Sequence, residues 1–178
     1  MASLGHIAMG MAVARFESNR PAPLLQSLFA SMVLWSGLSL LPDADVIGFR
    51  LGVAYGDEWG HRGASHSIVF ALGVALAFAA VARLSERPFP RTLALAAVVV
   101  GSHGLLDTLT DGGLGAELLW PFSSERFFAP VAPLPVAPIG RGILSSRGLY
   151  VIGIELLWFA PLLAYALRPR QGSQGHRR

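Results

Sequence analysis

Four apolar stretches dominate this chain: Leu24 to Leu41, Ile68 to Leu84, Thr92 to Leu109 and Leu149 to Leu167. Each is close to the roughly 20 residues that cross the hydrocarbon core of a bilayer. A lone apolar segment in lipid must satisfy its own backbone N–H and C=O groups, so each is expected to be a helix. Composition agrees, with 53% apolar and only 14% charged residues, where a soluble domain carries about 25% charged. A fifth, shorter segment from Leu4 to Phe16 ends in the turn sequence Glu17-Ser-Asn-Arg-Pro-Ala-Pro23. It reads as a helix that forms a hairpin with the next run and is covered by its neighbours. The expected fold is all-α: a polytopic membrane helix bundle of four long transmembrane helices plus a shorter N-terminal helix. It occupies residues 1–169, and residues 170–178 form a disordered tail.

All 14 basic residues are Arg. They lie scattered at the expected helix ends and not in one cluster, which favours anchoring at the bilayer surface over a nucleic-acid partner. If the helices alternate, Arg15, Arg20, Arg83, Arg87, Arg91, Arg168, Arg170, Arg177 and Arg178 fall on one side. Arg50, Arg62, Arg126, Arg141 and Arg147 fall on the other. The positive-inside rule places the first group in the cytoplasm. The opposite face then carries two loops, about Pro42 to Ser65 and about Asp111 to Gly148. The second contains a Pro-rich stretch, Ala129 to Pro138, that is either a functional cover or a flexible connector. With no Cys, any metal site must use nitrogen and oxygen ligands.

The same topology gathers the ionisable residues. His6 begins the first helix, Asp43 and Asp45 end the second, His61 and His66 lead into the third, and His103 and Asp107 sit in the last turns of the fourth. All fall at the face opposite the nine Arg. His103 and Asp107, four residues apart, share one helix face. Imidazole and carboxylate suit zinc or manganese. Without a metal, His103 would simply pack against neighbouring helices, but ionisable groups inside a membrane are costly and tend to be functional. Pro42 ends its helix, and Asp43 and Asp45 diverge just beyond it; one would ligate a metal while the other orients a histidine. In His61-Arg-Gly-Ala-Ser-His66-Ser, Ser65 is the expected N-cap of the third helix and Gly63 permits close approach of backbone to ligand. Arg62 suits an anionic group such as a phosphate. A polar interfacial loop would account for a lone His there, but not for two His with an Arg. His6 gains weight only from its position, Asp111 is a further acid at this face, and Arg126 lies in an aromatic interfacial segment from Trp120 to Phe128.

The set Gly-His6, Leu-Leu-Pro-Asp43-Ala-Asp45, His61-Arg-Gly-Ala-Ser-His66-Ser, Ser-His103-Gly-Leu-Leu-Asp107-Thr-Leu-Thr and Leu-Trp-Pro-Phe-Ser-Ser-Glu-Arg126-Phe resembles a bacterial family. It is the LexA-binding, inner-membrane-associated metal-dependent hydrolase family, matched in order over about Gly5 to Phe128. The chain departs from it at Ser65, where the family often has Thr. The resemblance implies a multi-pass inner-membrane metallohydrolase. The reading that follows is hydrolysis of a phosphoester or lipid-type substrate at the non-cytoplasmic face, with membrane lipid as partner. One or two divalent ions would be held by His6, Asp45, His61, His66, His103 and Asp107. Asp43 and Asp45 would serve in base catalysis and Arg62 would steady the anionic transition state. The competing reading is a non-enzymatic membrane protein for metal binding, transport or regulation. Transport would place polar groups near the bilayer midplane, whereas these gather at one end.

Overall fold

The computed structural model describes residues 3–19 and 27–168. Arg20, Arg170, His176, Arg177, Arg178, the end of the first turn and the expected tail lie outside them. The described residues form five α-helices, in order α1 (Ser3–Ser18), α2 (Leu28–Leu40), α3 (Ile68–Arg83), α4 (Phe89–Thr108) and α5 (Ser146–Leu167). A 3-10 segment, Leu41–Leu51, continues α2, and a 3-10 turn, Ala64–His66, precedes α3. The described residues form no strand, only isolated bridges between Thr110 and Leu134 and between Ala116 and Phe127.

The all-helical bundle is as expected; the number of long spans is not. Among the described residues three stretches are long and apolar enough to cross a bilayer: Leu28–Leu51, Phe89–Thr108 and Ser146–Leu167. The fourth expected span is α3, of 16 residues, which rises only about 24 Å. Ser67 stops it at one end, its hydroxyl accepting from the Phe70 N–H at 3.0 Å. This corrects the expected cap: Ser67, not Ser65, caps α3, because Ser65 is needed elsewhere.

Packing follows residue size. Ala71, Ala75, Ala79 and Ala82 form a buried stripe on α3, which lets α4 approach closely, as small residues do between membrane helices. Trp35 fills the core among Val13, Ala14, Ala75, Ala96 and Val99. Its indole Nε1 donates to Glu17 Oε2 at 2.9 Å, so its polar edge is satisfied.

α5 lies parallel to α1. The Leu4 N–H donates to Glu155 Oε2 at 2.6 Å, and Arg15 Nε donates to Ala166 O at 2.8 Å. Both pairs are separated by 151 residues, so the two helices run in register. Arg15 also donates to Arg168 O. It is buried and closes the C-terminal end of α5, where carbonyls lack helical partners. At the opposite end, α5 runs past the start of α1. Loops fill that region. The Pro-rich stretch is stapled to the end of α4 by Ala129 N to Thr108 O at 2.9 Å and Leu134 N to Leu109 O at 3.2 Å. These bonds hold it against the end of α4.

Candidate metal centre

The end of α4, the residues after α2 and the turn before α3 converge on one buried point. Gly104 makes the approach possible: a Cβ there would lie 2.2 Å from His66 O. Four side chains bring one ligand atom each within 4.8 Å of all the others: Asp43, His66, His103 and Asp107. All four are buried. His103 Nε2 and His66 Nε2 are 3.1 Å apart. Asp43 Oδ1 stands 3.4 Å from His103 Nε2 and 3.6 Å from His66 Nε2, and Asp107 Oδ2 stands 3.4 Å from His66 Nε2.

Most of these spacings exceed the 2.7–3.2 Å of an N–H···O bond. They match the edges of a coordination shell: bonds of about 2.1 Å place neighbouring donors roughly 3.0–3.4 Å apart. Both Asp43 oxygens are buried without a hydrogen-bond partner. A buried acceptor left so costs about 1–3 kcal/mol. The outer contacts set the ring nitrogens. His103 Nδ1 donates to Ser39 O at 2.7 Å, which leaves Nε2 with its lone pair directed at the cluster. His66 Nδ1 faces Ser65 Oγ at 3.0 Å and Asp45 Oδ2 at 3.3 Å. This is the arrangement by which supporting groups orient ligating histidines. Two imidazoles and two carboxylates suit zinc or manganese, so the residues fit a divalent ion.

Asp43 and Asp45 diverge as expected, and the geometry separates them. Asp45 accepts from His61 Nδ1 at 2.8 Å, Arg62 N at 3.1 Å and Ser65 Oγ at 2.8 Å. Asp45, His61 and His66 form a second close group, but His61 Nδ1 and Ser65 Oγ spend their protons on Asp45. Burial alone would pull the His66 imidazole down; bonds to Asp107, Asp43 and Asp45 outweigh it and raise it to about 10. His6 joins from α1: its ring stacks on His103 at 3.7 Å, and its Nε2 is 3.4 Å from Asp107 Oδ1. Neither His6 nitrogen has a hydrogen-bond partner.

Two arginines of this region are engaged by protein groups. Arg62 is fully buried, with Nε 3.0 Å from Asp107 Oδ2 and Nη1 donating to Gly112 O at 3.0 Å. Its backbone is left-handed, φ 64°, a strained state for a non-glycine residue. The guanidinium points inward and buttresses the Asp107 carboxylate. Arg126 pairs with Glu117 Oε1 at 2.8 Å and donates to His61 O at 3.2 Å. Gly63 serves the chain itself: a Cβ there would meet Glu58 O at 2.2 Å. Asp111 lies outside the cluster, its Oδ1 accepting from Val136 N at 2.7 Å. Sequence reasoning missed Glu155, whose carboxylate caps α1 two residues before His6; an acid in an otherwise apolar span was the signal.

Comparison with known proteins bears on the membrane setting. No solved structure matches the chain. The inner membrane protein YbcI of Escherichia coli (strain K12) is 44% identical over 133 residues, covering 74% of this chain and 75% of that protein. The family model for the YdjM inner membrane protein matches residues 1–172. Neither match speaks to LexA binding or to hydrolysis. With three helices able to cross a bilayer, this is a multi-pass inner-membrane chain, and it belongs to the YdjM inner membrane protein family.

Proposed function

We propose that this protein is a metal-dependent hydrolase acting on a phosphoester or lipid-type substrate at the non-cytoplasmic membrane surface. The observation that carries the reading is the buried quartet of Asp43, His66, His103 and Asp107, with donor atoms at coordination spacing and nothing else to satisfy Asp43. In this proposal those four hold the ion. A divalent ion there supplies Lewis acidity. Asp45 orients His61 and His66, Arg62 holds Asp107, and His6 braces His103 by stacking. His61 lies at the edge of the centre, bonded to Asp45 and next to Arg126, and is the residue placed to move a proton.

A specific observation favours a second reading. Four protein ligands fill a four-coordinate zinc and leave no open position, as in structural sites. A six-coordinate ion such as manganese would keep two positions free. Metal content of the purified protein, wild type against Asp43→Asn and His103→Ala, tests the site first. Stoichiometric metal in the wild type and its loss in both variants is expected; an empty wild type sinks the proposal. Turnover of phosphoester and phospholipid substrates that stops with chelator supports hydrolysis. Bound metal without any turnover supports the closed, structural reading.

A further inference from the structure

A cavity of 680 Å³ opens beside the centre, on its loop side. Its wall includes Glu58, Glu117, Trp120, Ser123, Ser124 and Arg126. Two hydrogen bonds tie that wall to the His61–Arg62 backbone: Glu117 N to Arg62 O at 2.9 Å and Arg126 Nη1 to His61 O at 3.2 Å. The lining carries two carboxylates against one guanidinium. That guanidinium is already spent, on Glu117 Oε1, His61 O and Asp57 O. An anion would find no free cation there.

The acceptors are another matter. Glu117 is 2% exposed, and its Oε2 is buried without a hydrogen-bond partner. Burial pushes its carboxyl up, against the pull of Arg126. Glu58 is exposed and takes the Trp120 indole Nε1 at 2.5 Å, which fixes that ring. Trp59 braces it from outside, edge to face at 5.3 Å. Carboxylates, hydroxyls and an aromatic face together form a receptor for a cation that carries N–H donors.

We infer that this cavity binds a primary ammonium group, the group carried by an ethanolamine phospholipid head or by a free amine. A quaternary ammonium fits less well, because it has no N–H for Glu117 Oε2. The inference stands on the cavity lining and does not require a metal in the neighbouring centre.

The test titrates the full-length protein in detergent with short-chain phosphatidylethanolamine, phosphatidylcholine and phosphatidylglycerol and with free ethanolamine, following tryptophan emission. Saturable binding of the ethanolamine phospholipid is expected, with the choline form about tenfold weaker or more. Saturation by free ethanolamine at the same concentration assigns the site to a soluble amine; response to the phospholipid alone assigns it to a lipid head. Glu117→Gln should weaken binding about tenfold. Glu58→Gln, at an exposed position, should do the same and keeps the test open if the buried variant misfolds. Equal affinity for ethanolamine and choline heads, tighter binding of the glycerol head, no saturable response, or an unaffected Glu58→Gln each overturns the inference.

Discussion

Asp45→Asn separates an orienting carboxylate from a ligating one. The change preserves size and removes the charge that three donors share: His61 Nδ1 at 2.8 Å, Arg62 N at 3.1 Å and Ser65 Oγ at 2.8 Å. One carboxylate oxygen becomes an NH₂ group, so at least one donor loses its acceptor. A hydrogen bond to a charged group is worth about 1.5–3 kcal/mol, and loss of such supporting partners lowers metal affinity about 10–100-fold. Asp45→Asn is therefore expected to weaken binding within that range while preserving stoichiometry. Asp43→Asn removes a proposed ligand and should cost more. The assay is competition for zinc or manganese against a chromogenic chelator, with circular dichroism to verify the fold. Equal, complete loss in both variants would show that Asp45 is itself a ligand. An unchanged affinity in Asp45→Asn would refute the orienting role.

Three further outcomes follow from the same geometry. Gly104→Ala places a methyl 2.2 Å from His66 O; overpacking of this kind costs about 1–3 kcal/mol, so both thermal stability in detergent and metal content should fall. Glu155→Ala leaves the Leu4 N–H without its acceptor, a loss of about 1–3 kcal/mol, read as a lower unfolding temperature. His66 titrates about 10 in the folded chain against 6.5 for the free side chain. Its proton therefore stabilises chelator-treated protein below pH 6.5, and that stabilisation is lost as pH rises through 10. Because metal must displace this proton, affinity should rise with pH across the same window, with proton release measurable in weak buffer.

Helix existence was legible because apolar length and backbone satisfaction leave no alternative in lipid. The cluster was legible because alternation sends His6, Asp43, His66, His103 and Asp107 to one side. What the linear chain hides is the use of each polar atom. Ser65 and Ser67 are equally good caps by type, and only the position of Asp45 decides that Ser65 serves the site. Arg62 reads as an anion binder by type, and only the fold shows its guanidinium against Asp107. The shared register of α1 and α5 is a contact across 151 residues, for which no local pattern exists.

That register bears on bilayer thickness. His6 sits close to the level of Leu157 on α5, about 16 Å from the first residue of that helix. α1 and α3, each of 16 residues, span about 24 Å, while the 22 residues of α5 span about 33 Å. A thin membrane matched to the short helices leaves the centre at its boundary and lifts the start of α5 into the head groups. A thick one matched to α5 submerges the centre near mid-depth. Acyl-chain length is thus expected to shift the immersion of His6, His103 and their carboxylates, through the hydrophobic mismatch of the host lipid.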